Sequence, residues 1–295
     1  MARCADVFDC EVIEVGSGPG AFTRSILNQG VRHLHAVELD KRFLPTLEML
    51  KEASDGHLSI HCNDILRTNM TSLLIDPISS PWISEDVPNV RLVGNLPFNV
   101  SIPLLLQWLE AISEQRGPWR LGRVPMTLVF QAEVGQNMMA GSGNKHRNRI
   151  TTMTQNYCNV TRPMVLPGSV FSPQPKIDAW LMHFEPRPKP LVNASFAVLE
   201  QVVKAVFSGK NKQIKKSVVK LFPDDEKLGM ELLEKSEVAH TLRPHQLSFD
   251  DFNSLTTTFL ELCDKYELST TPQRINKPAR LVDLDEIELD VRSKL

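Results

Sequence analysis

Short apolar runs alternate with amphipathic stretches through the first half of the chain. Cys10–Val15 reads as a buried strand, followed by a glycine turn and a helical pattern over Phe22–Gln29. Leu34–Leu39 predicts a second strand and Lys41–Glu52 a helix. Leu58–Cys62 predicts a third strand, ending at Asn63-Asp64. Residues 66–89 are rich in Ser, Pro and Asp and read as an insertion loop with room for one short helix. Arg91–Gly94 and Met126–Phe130 are the fourth and fifth strands. Between them, Ser101 is placed to cap a helix whose Leu104, Leu105, Trp108, Leu109 and Ile112 share one face, with Pro103 in its first turn. Residues 141–149 form a Gly- and Arg-containing loop, and Ile177–Phe184 is a late strand.

The pattern then changes. Pro186, Pro188 and Pro190 mark a linker, after which only helical patterns occur: Phe196–Phe207, Ile214–Leu221, Lys227–Lys235 and Phe249–Tyr266. Strand–helix alternation predicts an α/β fold with a largely parallel sheet covered on both faces, and the segregated helices predict a small C-terminal all-α domain. The expected division is 1–188, 189–268, and a charged tail at 269–295 too poor in aromatics to pack.

Composition narrows the class. With 42% apolar residues in 295, the chain is globular, and it lacks a run of 18 apolar residues that would span a bilayer. Five scattered cysteines without a CxxC pair predict reduced thiols and no zinc site. The strand at Cys10–Val15 begins so early that a targeting segment of about 15–30 residues has no room before it, so the chain is either untargeted or lacks its beginning. The net charge of −2 hides an uneven distribution. Residues 134–177 contain no acid, nor do 201–223, which carry six lysines. Lys145, Arg147, Arg149, Lys176, Lys210, Lys212, Lys215 and Lys216 are therefore candidates for holding nucleic-acid phosphates. A solvated basic face is the competing explanation for either patch alone.

The chemistry is carried by strand ends. Glu14-Val-Gly16-Ser-Gly18-Pro-Gly20 places a GxGxG turn after the first strand, tighter than the dinucleotide GxGxxG. It suits a compact zwitterion such as the methionine end of S-adenosylmethionine. Glu38 ends the second strand, where such folds place an acceptor for ribose hydroxyls. Asp64 ends the third and can accept from an adenine amino group, with Ile65 against the ring. Each residue has a plain alternative, as a ligand-free turn, a surface acid or a turn-forming Asp. Asn95-Leu96-Pro97-Phe98 ends the fourth strand. An aromatic amine is a weak nucleophile because its lone pair is conjugated into the ring. The Asn95 side-chain oxygen and the Leu96 carbonyl can accept its N–H groups and aim that lone pair at a methyl donor. Phe98 can supply a stacking face worth about 1–3 kcal/mol to a base taken out of its stack. A turn Asn before Pro and a core Phe are the plain alternatives.

These motifs resemble the KsgA-type family of ribosomal RNA adenine N6,N6-dimethyltransferases over residues 11–250. Further matching pieces are Phe130-Gln-Ala-Glu133-Val134, the Pro167–Asp178 segment with its Phe-x-Pro-x-Pro-Lys motif, and Arg243-Pro244-His-Gln-Leu247. The insertion before Asn95 and Lys145-His-Arg147-Asn-Arg149 are similar to the mitochondrial branch. The resemblance implies a Rossmann-like S-adenosylmethionine-dependent methyltransferase sheet. Gly16, Gly18, Gly20, Glu38, Leu39, Asp64, Ile65 and Asn95 would hold the cofactor. Phe171 would stack on the base opposite Phe98. The implied substrate is a pair of adjacent adenines in a hairpin loop near the 3′ end of mitochondrial small-subunit ribosomal RNA. Implied partners are the pre-small ribosomal subunit and the mitochondrial transcription machinery, with the protein a matrix monomer and no membrane or metal involved.

The sequence departs from that pattern in places. The family's opening Gln-Asn-Phe-Leu-like segment, which covers the cofactor, is not present, so a fragment or weak cofactor binding is expected. Ala132 and Asn137 stand where basic residues are usual, and the family's arginine-rich stretch is reduced to Phe207-Ser-Gly-Lys210-Asn-Lys212. A non-catalytic RNA-binding or transcription-associated relative of the same fold stays open as the alternative. So does an N-methyltransferase acting on DNA adenine or protein glutamine.

Overall fold

β1 (Glu11–Val15) is buried along its whole length, as expected of a strand covered on both faces. In the computed structural model, which describes residues 2–96, 98–171, 177–223 and 225–270 (backbone only at Phe98 and Asn99), it is an interior strand, third in order, of a seven-stranded sheet. β1 lies between β2 (His33–Val37) and β4 (Val90–Gly94), both parallel to it, and β3 (Leu58–His61) lies outside β2. β5 (Met126–Gln131) extends the parallel run beyond β4. β7 (Ala179–Pro186) then pairs antiparallel with both β5 and the edge strand β6 (Cys158–Leu166), giving the order β3-β2-β1-β4-β5-β7-β6.

Alternation along β1 divides the core. Val12 packs with Phe22 and Ile26 of α1 (Ala21–Leu27), while Ile13 and Val15 face the cluster built by α3 (Phe98–Ser113). α2 (Leu44–Glu52), entered through a 3-10 turn at Lys41–Phe43, buries Leu47. α4 (Ala132–Met138) follows β5 directly. α5 (Arg149–Tyr157) opens on a capping box in which Asn148 and Thr151 each accept the other's backbone amide. The C-terminal part contains α6 (Phe196–Phe207), α7 (Lys215–Val218), α8 (Glu226–Lys235) and α9 (Phe249–Lys265). Their apolar faces join the sheet's larger cluster without a break: Tyr157 of α5 stacks on Phe196 of α6 with ring centroids 5.7 Å apart.

Three expectations need correction. The helix after β4 begins at Phe98, not beyond Ser101, so Ser101 is a buried interior residue and Pro103 lies in the second turn. There proline removes an amide that a helix interior ordinarily uses. α5 and β6 form just after the expected 141–149 loop, in a stretch to which the sequence pattern assigns no element. α5 carries Thr151, Thr152, Thr154 and Asn156, all fully buried, so polarity concealed its burial. β6 contains Pro163 beside a register shift between Thr161 and Met164, which an edge strand tolerates. The charged tail lies outside the described residues from 271 onward.

Candidate active site

The parallel strands end in step. Val15 is paired with both Val37 and Gly94, and Val37 with His61. Gly16, Glu38, Asp64 and Asn95, which follow those ends, therefore gather along one edge of the sheet. Two amides lock the ends together: Gly16 N–H donates to the Val37 carbonyl at 2.9 Å, and Glu38 N–H to the His61 carbonyl at 3.0 Å.

The glycine turn needs its glycines for different reasons. Gly16, Gly18 and Gly20 all have positive φ, of 72°, 53° and 84°. At Gly20, which caps α1, the φ of 84° disfavours a side chain, and a Cβ would lie 2.4 Å from Leu50 Cδ1 and 3.2 Å from Leu47 Cδ2, so the Leu50 side chain would have to shift. At Gly18 nothing lies within 4 Å of that position, leaving an open approach. At Gly16 a Cβ would sit 3.6 Å from the Asn95 carbonyl oxygen and 3.7 Å from Leu96 Cδ2. The two motifs, eighty residues apart in sequence, thus lie side by side at adjacent strand ends.

Glu38 is only 8% exposed, and its carboxylate spans two loops. Oε2 accepts the Gly18 amide at 2.7 Å and Oε1 the Asp40 amide at 2.8 Å. Charge-assisted bonds of this kind are the stronger ones, and each oxygen keeps further acceptor capacity. Leu39 beside it is 66% exposed, an apolar surface on the rim. Asp64 accepts the Leu66 amide at Oδ1, 3.0 Å away, and Oδ2 lies 3.9 Å from Arg67 Nε, so it also shapes its own turn. Ile65 is partly buried against the main core. Below the glycine turn, Glu14 and Thr23 are fully buried and Ser17 is nearly so, and their side-chain oxygens have no hydrogen-bond partner. Buried polar atoms left unpaired are costly. Such atoms under an open glycine turn fit a small charged ligand seated there.

Asn95 is half-buried and Leu96 is buried at 4% exposure. Phe171 is half-buried against Val129, Leu166 and Leu181, in the connection between β6 and β7. That connection lies beyond Gln131, the last residue of β5, and so at the same sheet edge as Asn95. Its start is held by the Gly168 amide, which donates to Asp178 Oδ1 at 3.0 Å. Pro97, Lys176 and the side chain of Phe98 fall outside what the structure describes.

The basic candidates separate. Lys145 is exposed at the tip of the 141–149 loop. That loop is anchored by Gly143 N–H to the His245 carbonyl at 2.8 Å and by Ser142 Oγ–H to the Gln246 carbonyl at 2.7 Å. Arg147, expected to bind phosphate, is instead 2% exposed, with its guanidinium 4.8 Å above the Phe249 ring, and burial draws its pKa down. It is a packing residue between the loop and α9. Arg149 is bound to Glu200 of α6 at 2.5 Å, which leaves it little freedom for a phosphate. Lys212 and Lys216 are exposed, while Lys210 and Lys215 are half-buried. Lys215 and Lys216 line a groove of about 550 Å³ with Lys227, Val219, Glu226 and Met230, between α7 and α8. Lys227 gives no signal in the sequence because acids surround it there. Among the described residues, no cluster of three or more His, Cys, Asp or Glu is placed to hold a metal ion, and no helix is long and apolar enough to cross a membrane.

A seven-stranded sheet of this order, with a glycine turn after β1 and acids after β2 and β3, defines a Rossmann-like S-adenosylmethionine-dependent methyltransferase. A crystal structure of a dimethyladenosine transferase from Plasmodium falciparum has the same fold, with TM-score 0.67 at 19% identity, covering 90% of this chain and 94% of that one. The profile of the ribosomal RNA adenine dimethylase family matches residues 9–261. The chain is 42% identical over 267 residues to dimethyladenosine transferase 1, mitochondrial, of Xenopus tropicalis, spanning 90% of this chain and 77% of that protein. The Homo sapiens protein of the same name is 40% identical over the same shares. The chain belongs to the ribosomal RNA adenine dimethylase family. It is an adenine dimethyltransferase of mitochondrial ribosomal RNA that uses S-adenosylmethionine.

Proposed function

We propose that this sheet edge dimethylates two adjacent adenines in a hairpin loop near the 3′ end of small-subunit ribosomal RNA, one flipped base at a time. The observation that carries the reading is that Val15 pairs with Gly94, so that Gly16 and Asn95 leave adjacent strand ends and the space beside Gly16 is bounded by the Asn95 carbonyl and the Leu96 side chain, which sets the cofactor turn against the base-gripping residues. Bound S-adenosylmethionine supplies an electrophilic methyl group on a sulfonium. Glu38 accepts the ribose hydroxyls with the lone pairs that Gly18 and Asp40 leave free. Asp64 accepts the cofactor's adenine amino group, and Leu39 and Ile65 flank that ring. Asn95 Oδ1 and the Leu96 carbonyl accept the N6 hydrogens of the target base and turn its lone pair toward the methyl carbon. Their contribution is orientation rather than basicity. Phe98 and Phe171 close on the two faces of the flipped ring.

Residues 1–188 act as the transferase unit in this reading, and the helices of 189–268 as the unit that grips the pre-small subunit. Exposed Lys145, Lys212 and Lys216 hold the phosphates, and Arg147 is released from that role by its burial. A monomer that also meets the mitochondrial transcription machinery rests on the family resemblance alone.

The test is incubation of the protein with S-adenosylmethionine and a small-subunit hairpin carrying two adjacent adenines, followed by mass spectrometry of the nucleosides. N6,N6-dimethyladenosine at both positions is expected. Its absence, with monomethylation or none, overturns the reading.

A further inference from the structure

Glu14 sits in an unusual place for a carboxylate. It faces the α1 side of the central strand, between Ala36 of β2 and Val93 of β4 in the register, and is completely buried. Neither neighbour carries charge. Thr23 of α1 and Ser17 of the glycine turn bring hydroxyls to the same layer, yet Glu14 Oε1 and Oε2, Thr23 Oγ1 and Ser17 Oγ all lack a hydrogen-bond partner. The one charge acting on Glu14 among the described residues is that of Glu38, which is of the same sign. A charged carboxylate with no cation beside it, and with only the Thr23 hydroxyl near enough to act on it, is among the least favourable things a protein can bury. Burial accordingly pushes the Glu14 carboxyl up to about 8. The Thr23 hydroxyl draws it back in part and Glu38 adds to the rise.

The missing counter-charge corresponds to a property of the ligand that the turn above would hold. S-adenosylmethionine carries a sulfonium and an ammonium; the product left after transfer keeps only the ammonium. Resting on the reading that the glycine turn binds this cofactor, we propose that Glu14 is a proton-linked counter-charge for the methyl donor. It is a neutral acid in the free protein, releases its proton to solvent when the donor binds, and takes one up again after transfer.

The balance closes. In the transfer the methyl carbon–sulfur bond breaks with its electron pair going to sulfur, which becomes a neutral thioether. The new carbon–nitrogen bond places the positive charge on N6, which loses it as a proton to solvent. Glu14 then again faces no sulfonium, and reprotonation from water removes an uncompensated charge. Dimethylation needs two donors in succession, so a site that holds the charged donor more tightly than the spent product favours the exchange between the two steps.

Calorimetric titration of the full chain at pH 7, in two buffers of different ionisation enthalpy, reads the protons directly. About one proton is expected to leave per S-adenosylmethionine bound, and far fewer for S-adenosylhomocysteine, which has the same ammonium but no sulfonium. The donor Kd should fall close to tenfold between pH 6 and pH 7, and that dependence should vanish in Glu14→Gln. Equal proton release with the two ligands, or release unchanged in a folded Glu14→Gln, overturns the inference while leaving the cofactor reading in place. If Glu14→Gln does not fold, difference infrared spectra of the unaltered protein decide. The carbonyl stretch of a protonated carboxyl must disappear on adding the donor, and its persistence overturns the inference. Absence of any binding of S-adenosylmethionine overturns both readings.

Discussion

Glu38 Oε2 accepts the Gly18 amide at 2.7 Å, across twenty residues of sequence, and so ties the glycine turn to the end of β2. The same carboxylate accepts the Asp40 amide with its other oxygen. One side chain therefore sets the width of the cleft between the first two strand ends before any ligand arrives.

Glu38→Gln tests this arrangement. An amide presents one acceptor, so its NH2 must face one of the two backbone donors. The loss expected from a charged hydrogen bond is about 1.5–3 kcal/mol. S-adenosylmethionine affinity by calorimetry should fall tenfold or more, with a lower urea midpoint. Unchanged values for both would show that the Glu38 charge supports neither the turn nor the cofactor.

Gly18→Ala and Gly20→Ala should differ. Both positions have positive φ, which costs an L-residue about 1–2 kcal/mol. Only Gly20 adds a clash, at 2.4 Å from Leu50 Cδ1 and against Leu47. Gly20→Ala should therefore be the less stable of the two by thermal denaturation, by about 1–3 kcal/mol of overpacking. Gly18→Ala should instead show its effect mainly in cofactor affinity, since its open side is where a ligand approaches.

The lysines of the α7–α8 groove and the buried arginine should separate in salt titrations of hairpin binding. Lys215→Ala with Lys216→Ala should flatten the slope of log K against log salt by about 0.7 for each phosphate of single-stranded RNA that the pair neutralises. Arg147→Met should leave the slope unchanged, because its guanidinium lies against Phe249 and not at the surface. A flattened slope in Arg147→Met would return that residue to the phosphate face.

The parts of the fold legible in the sequence are those where period and burial agree. β1 and β4 are short runs rich in Val, Ile and Leu that are buried along their whole length, and the Phe196–Phe207 helix is found with those bounds because its apolar face repeats cleanly after the Ser195 cap. α5 was hidden because its buried face is built from threonines and Asn156, whose partners lie elsewhere in the fold, as the Asn137 carbonyl does for the Thr151 hydroxyl at 2.6 Å. β6 was hidden by Arg162-Pro163 in its middle, which only an edge position and a register shift accommodate. Of the site, the strand-end residues could be read because parallel strands place their ends together. Arg147 misled because a basic residue in a Gly-rich loop gives no sign that Phe249, a hundred residues on, covers it. Glu14 could be read as part of the glycine motif, but its isolation depends on what β2, β4 and α1 place around it.

The most direct measurement is the single-turnover rate of Asn95→Ala on the hairpin substrate at saturating S-adenosylmethionine, with cofactor affinity determined in parallel. If Asn95 orients the adenine amine, the rate of N6,N6-dimethyladenosine formation falls on the order of a hundredfold or more. The cofactor Kd meanwhile changes by less than about tenfold, roughly one hydrogen bond. A rate equal to that of the unaltered protein would contradict the account.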